Sequence, residues 1–328
     1  MSLVKSMVSA LLLVAARAFT TSASAQMGDG GTIRLMSNPS GTQSYPPFVI
    51  EKFGLDKKYG FELEVIPFTN SQAAIAAVQS KSVEAVVQDW TTIARLRNQN
   101  IPIIGVAPFL AYINTVLIPA DSEIKTIGDL KGKRVGIFSK TSSDWILLQA
   151  AAKKAYRVDL SKEATLQEGA PALLRGTMEQ GQLDATLMYN SLTPDMLLSG
   201  KSKLLITVHD IVAQMGITEV PYLMYAMRED YAKENPQNAK AFVAAYREAI
   251  DILLSNEEVW REQGANMKLA PEATEMFRKG ASKEFVKEFK PEMAESINET
   301  FAILLEVAGP EVIGMSAMPD KVFTMDYQ

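Results

Sequence analysis

AIAAVQSKSVEAVVQDW (74–90) and LRGTMEQGQLDATLMYN (174–190) align without a gap at an offset of 100 residues. Each starts with apolar residues at helical spacing and passes through a short polar turn. Each then sets an acidic residue and an alanine, Glu84-Ala85 or Asp184-Ala185, at the head of an apolar run. The change of period from about 3.6 to 2 marks a helix, a tight turn and a buried strand. Upstream of the two copies, the runs IRLMS (33–37) and VGIFS (135–139) each lead into a polar loop and then a helix with an aromatic residue near its start. Two copies of one supersecondary pattern predict two lobes of similar α/β build.

Working outward, strands are expected at 32–37, 62–67, 83–88, 103–106, 134–137, 184–189 and 204–208, and helices at 71–80, 91–98, 143–155 and 170–180. Short apolar strands alternating with amphipathic helices are the pattern of parallel-sheet α/β units. Beyond Arg228 strand patterns cease. Phe242, Val243, Tyr246, Ile250, Leu253 and Leu254 form one helical stripe; Met293, Ile297, Phe301, Leu304 and Leu305 form another, closed by Gly309-Pro310. Both read as core-facing. NTVLIP (114–119) and PYLMYA (221–226) read as the segments that cross between lobes, making 26–116 plus 223–328 one lobe and 117–222 the other. Two facing α/β sheets place a ligand in the cleft beyond the carboxyl ends of their strands.

The chain has 328 residues, no Cys, a single His (His209), 33 Lys and Arg against 38 Asp and Glu, and a net charge of -5. Without Cys there is no thiol nucleophile, disulfide, iron–sulfur cluster or Cys-type zinc site. One His builds no multi-histidine metal site, so neither metal nor cofactor is expected. An acidic chain with no basic run lacks a nucleic-acid footprint. Residues 1–25 carry Lys5, an apolar stretch from Met7 to Ala16 and the small residues Ala23-Ser24-Ala25. That is the pattern of an export signal cleaved after Ala25, too short in its apolar part to span a bilayer. Losing Lys5 and Arg17 and no acidic residue takes the net charge from -5 to -7. A soluble, acidic, exported protein is expected, with nothing in the sequence demanding more than a monomer.

FVIEKFGLDKKYGFELEVIPF (48–68), SQAAIAAVQSKSVEAVV (71–87), IGDLKGKRVGIFSKTSSDWILLQAA (127–151) and LLRGTMEQGQLDATLMY (173–189) together resemble, in order and spacing, the periplasmic substrate-binding proteins of ABC importers. The subgroup is the one that binds nitrate, sulfonates, taurine and thiamine pyrimidines. The resemblance implies a periplasmic-binding-protein-like clamshell that captures a small solute and delivers it to a membrane permease with its ATPase. It also implies that the loop of Lys140, Thr141, Ser142 and Ser143 holds an anionic group, as helix amino termini do. Here Asp144 and Trp145 depart from the usual small residues of that first turn, and a carboxylate there opposes an anion.

Candidate ligand groups follow from strand ends. Ser40, Thr42, Gln43 and Tyr45 supply hydroxyl and amide groups after the first strand, or simple turn chemistry. Asp89-Trp90, Asp144-Trp145 and Tyr189-Asn190 are polar–aromatic pairs. If they face the cleft they suit a flat heteroaromatic or a cationic ligand; otherwise the Trp residues are core and the Asp residues are helix caps. His209 stands near the cleft mouth or in a solvated loop, and Met215, Gly216, Thr218 and Glu219 precede the returning crossover.

Two other functions compete. No G-x-S-x-G, Walker or G-x-G-x-x-G motif is present, and the Cys- and His-rich iron segment of pyrimidine-making relatives is missing, so an enzyme is not expected. An accessory protein of a periplasmic dehydrogenase, or a binder of its pyrroloquinoline quinone cofactor (PQQ), is the alternative, alongside a sulfonate- or nitrate-type anion binder.

Overall fold

The computed structural model describes residues 27–39, 41–67, 71–217 and 220–328. The expected export signal and the candidates Ser40, Thr218 and Glu219 lie outside the described residues. The first part of the chain runs β1 (Thr32–Ser37), α1 (Tyr45–Phe53), α2 (Leu55–Tyr59), β2 (Glu62–Pro67), α3 (Ser71–Gln79), β3 (Ala85–Asp89), α4 (Trp90–Asn98) and β4 (Ile103–Leu110). The middle runs β5 (Thr115–Pro119), β6 (Arg134–Ile137), α5 (Ser143–Tyr156), α6 (Leu160–Glu163), β7 (Thr165–Glu168), α7 (Pro171–Glu179), β8 (Ala185–Met188), α8 (Thr193–Leu198), β9 (Ser202–Thr207) and α9 (Val208–Gln214). Strand β10 (Leu223–Arg228) then precedes α10 (Glu229–Glu234), α11 (Pro236–Ser255), α12 (Glu257–Asn266), α13 (Pro271–Ala281) and α14 (Glu292–Ile313).

Two five-stranded sheets result, ordered β2-β1-β3-β10-β4 and β7-β6-β8-β5-β9. The internal similarity holds down to register: Leu35 pairs with Ala85 and Met36 with Val86 in the first sheet, Val135 with Ala185 and Gly136 with Thr186 in the second. Both turns between helix and strand place one residue in the left-handed region, Lys81 (φ 58°) and Gly181 (φ 71°). The acidic residue heading each repeated strand has a partner. Arg34 Nε and Nη2 donate to Glu84 Oε2 and Oε1 at 2.9 and 2.6 Å, and Arg134 Nε and Nη2 donate to Asp184 Oδ2 and Oδ1 at 3.1 and 2.7 Å. Such planar two-bond pairs fix orientation as well as distance.

Two expectations are corrected. The sheets are mixed, because β10 runs antiparallel to β3 and β4, and β5 antiparallel to β8 and β9. The segments expected as crossovers, 114–119 and 221–226, are largely these inner strands. Their β-branched and aromatic residues, from Thr115 to Ile118 and from Met224 to Met227, are buried on both faces, as an inner strand demands. The chain crosses between sheets at 111–114 and again between α9 and β10. Strand β7 was not foreseen because TLQE is a short, half-exposed edge with no apolar alternation.

The C-terminal helices pack as expected on their apolar stripes. Tyr45, Trp260 and Phe277 meet in the first lobe, with ring centroids of Tyr45 and Trp260 4.4 Å apart. Helix α14 breaks at Gly309 (φ 77°, ψ 164°) just before Pro310, then adds one further turn to Ile313. Helix α13 rests on α8 and α14 on α5, so the C-terminal region touches both lobes. One apolar cluster spans the crossover side, running from Trp90 and Tyr112 through Trp145 to Phe301 and Leu304.

The two Arg–carboxylate pairs differ in exposure: the Glu84 side chain is 6% exposed and that of Asp184 30%. Glu84→Ala is expected to cost about 1.5–3 kcal/mol, the worth of the buried carboxylate's charge-assisted hydrogen bonds from the Arg34 guanidinium and amide, and Asp184→Ala about 1 kcal/mol or less. Urea unfolding of both variants checks the difference; equal losses would contradict it.

Candidate functional site

The carboxyl ends of β1, β3 and β8 converge with both crossovers on a cavity of about 170 Å³. Asn38, Thr42 and Gln43 come from the loop after β1, Gln88 and Asp89 from the end of β3, and Tyr189, Asn190 and Ser191 from the loop after β8. Asn114 and Tyr222 complete it from the crossovers. The lobes meet here directly: Asn190 Nδ2 donates to Thr42 Oγ1 at 2.8 Å. At the far side His209 Nδ1 lies 2.9 Å from Glu284 Oε2, linking α9 to the segment that pairs with the end of β4.

Asp89 caps α4, its carboxylate accepting from Thr92 N at 2.9 Å, from Thr92 Oγ1 at 2.7 Å and from Thr91 Oγ1. It serves as a helix cap and a cavity wall at once. Asp144, in the first turn of α5, is 1% exposed and sits behind Asn114 and Tyr222. Its Oδ2 accepts from Asn114 Nδ2 at 3.1 Å, the Tyr222 hydroxyl is directed at the same carboxyl, and Oδ1 has no partner among the described residues. Burial first, and then the nearby Asp89 charge, push the Asp144 carboxyl up to about 7. The phenols of Tyr112, Tyr189 and Tyr222 are raised by burial with contributions from Asp144 and Asp89, which places all three around the two carboxyl groups.

The other candidates fall elsewhere. Trp90 and Trp145 are 0% and 1% exposed, so the cleft-facing alternative is corrected in favour of the core. At a helix's first turn a side chain that points back along its axis enters the packed layer beneath the strand ends. Trp90 acts at one remove: its Nε1 donates to the Tyr112 hydroxyl at 3.3 Å, and Tyr112 stacks on Tyr222 with centroids 4.4 Å apart. Tyr45 is buried in the first lobe. Lys140 and Thr141 are exposed and do not line the cavity; Lys140 pairs with Glu168, its amide donating to Glu168 Oε2 at 3.0 Å. Ser142 donates to Ser139 O, and Ser143 is buried beside Tyr112. The sequence reading missed Gln88, Asn114, Tyr112 and Tyr222. The two Tyr residues flank the crossovers, in AYINT and PYLMY, where an aromatic beside each connection was the available signal.

A larger cavity, about 560 Å³, lies behind Tyr112 between α9 and residues 283–293. Its lining brings Lys283, Lys287 and Lys290 together with His209, Glu284 and Glu288. Among the described residues no cluster of His, Asp or Glu is placed to hold a metal ion, and no helix is long and apolar enough to cross a membrane.

Comparison with known proteins bears on family and fold. The profile of the NMT1/THI5 like family matches residues 42–258. The chain belongs to that family. It is 27% identical over 155 residues to the "Putative aliphatic sulfonates-binding protein" of Escherichia coli (strain K12), covering 47% of this chain and 46% of that one. It is 22% identical over 211 residues to the taurine-binding periplasmic protein of the same organism, covering 64% and 63%. The matches thus span between about half and two-thirds of these relatives' lengths. The crystal structure of the periplasmic aliphatic sulphonate binding protein SsuA from Escherichia coli superposes with a TM-score of 0.72 at 18% identity, over 89% of this chain and 93% of that one. The shared fold is the two-lobe form of those binding proteins.

Two outcomes test the site's layering. Trp90→Ala is expected to cost about 3–5 kcal/mol of stability with no ligand present, measured by urea unfolding; a loss under about 1 kcal/mol would remove Trp90 from the core. For Asp144, the folded-state pKa lies above the unfolded one, so the unfolded chain releases its proton first. Stability therefore falls as pH rises from about 4 to about 7 and levels off above that. Asp144→Asn removes this loss, and its melting temperature relative to the parent should climb between pH 5 and pH 8. A pH-independent difference would contradict a raised Asp144.

Proposed function

We propose that this protein is an exported solute-binding protein. It captures a small organic ligand between its lobes and delivers it to an ABC permease and ATPase, and it has no catalytic role. The observation that carries the reading is a polar cavity at the strand carboxyl ends, walled by both lobes and bridged by Asn190 and Thr42. Family membership and the names of the relatives support it. Ligand favours the closed form because only that form brings both walls within reach, which is a population shift toward closure. The moving bodies are the lobe built on the first sheet and the lobe built on the second; the expected boundary at 116/117 shifts to 111–114, because β5 belongs whole to the second sheet. In this reading the segment 1–25 directs export to the periplasm and is cleaved after Ala25, and the mature chain acts as a monomer.

The ligand is small. A cavity of about 170 Å³ has room for roughly six waters at about 30 Å³ each. Its accessible aromatic walls are Tyr189 and Tyr222 rather than tryptophans, so a heteroaromatic ligand would be a single ring. A tricyclic, tricarboxylate quinone such as PQQ suits neither the volume nor Asp89, which leaves the dehydrogenase-accessory reading without a supporting observation.

A thermal-shift screen of the purified protein against small amines, alcohols, amides, single-ring heteroaromatics and sulfonates tests the proposal. A true ligand at 100 times its dissociation constant adds about 2.7 kcal/mol. Thr42→Ala or Asn190→Ala should weaken that ligand by about tenfold, the worth of one hydrogen bond, and loss of the gene should abolish its uptake by cells. Stabilisation untouched by both variants would place the ligand outside the cleft.

A further inference from the structure

The sulfonate-binding relatives hold an anion by name; the cleft of this chain is built with the opposite charge. Among the described residues lining the cavity, the one charged side chain is Asp89. A second carboxyl, Asp144, lies behind Asn114 and Tyr222. Bases stand aside: Lys140 is engaged by Glu168, and Arg95 donates to Thr92 Oγ1 at 2.9 Å while its chain runs toward Gly314. The internal residues outside the described ones, Ser40, Phe68, Thr69, Asn70, Thr218 and Glu219, include no Lys or Arg. The positive end of helix α5, the natural seat for an anion, is already occupied by its own Asp144.

One buried polar group also points to a ligand. Gln88 is 5% exposed and lines the cavity, and its Nε2 has no partner among the described residues. Buried polar groups are rarely left so, because stranding them is costly. Tyr189 and Tyr222 line the cavity, and aromatic ring faces attract cations and not anions.

Resting on the solute-binding reading, we infer that the cleft selects a small organic ammonium compound with a second polar group, its cationic head between Asp89 and the rings of Tyr189 and Tyr222 and its polar group on the Gln88 amide. A sulfonate of the same size meets the Asp89 carboxylate, while the nearest base, Arg95, is held behind the Thr92 hydroxyl and does not line the cavity; the sulfonate is rejected, a discrimination by repulsion as much as by attraction.

Matched pairs test this by isothermal titration: ethanolamine against isethionate, and benzylamine against benzenesulfonate, each pair alike in size and opposite in charge. The ammonium member is expected to bind at least tenfold tighter in whichever pair binds. Asp89→Asn keeps a good helix cap, since Asn and Asp are nearly equal there, and should weaken the ammonium about a hundredfold with little change in melting temperature. The pairwise comparison on the unaltered protein needs no variant. Tighter binding of the sulfonate member overturns the inference, as does unchanged ammonium affinity in Asp89→Asn. If a sulfonate binds and Asn190→Ala weakens it, the solute-binding reading survives and the charge inference alone falls; if neither series binds to folded protein, both fall.

Discussion

In each lobe an arginine at the start of one strand grips the carboxylate that opens the next, Arg34 with Glu84 and Arg134 with Asp184. Each carboxylate also accepts from the backbone amide of its arginine, at 2.9 and 2.8 Å. The pairs therefore lock β1 against β3 and β6 against β8. A slip of one residue in either sheet would turn every side chain to the other face. The residues at the far ends of these strands, Gln88 and Asp89 in one lobe and Tyr189 and Asn190 in the other, reach a common cavity because their strands are held in register four to six residues upstream. The site is made precise from the opposite end of the sheet.

Above that frame the cleft has two layers. The inner layer is apolar and rigid, with Trp90 and Trp145 sealed beneath the strand ends. The outer layer is polar and aromatic, and Tyr112 couples the two by accepting from Trp90 and stacking on Tyr222. Asp144 sits between the layers, where desolvation disfavours its charge, and Asp89 at the surface of the outer layer is satisfied by its cap bonds. Two carboxyl groups a short way apart thus have different surroundings and different parts: one lines the site, the other lies behind its floor.

Much of this was legible in the sequence. The offset of 100 residues between 74–90 and 174–190 reappears as identical strand register, and β1, β2 and β6 begin and end where their apolar runs do. Thr42, Gln43, Asp89, Tyr189 and Asn190 line the cavity as strand-end residues should. What escaped has physical causes. Strands β5 and β10 read as connections because each enters its sheet far along the chain from the strands it pairs with, and local pattern carries no record of long-range pairing. The tryptophans were ambiguous because a first-turn helical residue lies at the border of cleft and core, and side-chain direction rather than position decides. Gln88 was hidden because it reads as the last residue of the expected strand 83–88, while the candidates were drawn from Asp89 onward.

The central claim is that the lobes close on a ligand, and the absence of Cys makes it directly measurable. Leu198 on α8 and Lys279 on α13 are exposed positions on helices that meet across the lobes. With both changed to Cys and carrying a donor–acceptor dye pair, single-molecule energy transfer should show two populations in the free protein. Saturating ligand should move nearly all molecules to the high-transfer state. One unchanging population with and without bound ligand would contradict closure, and with it the account of how this protein works.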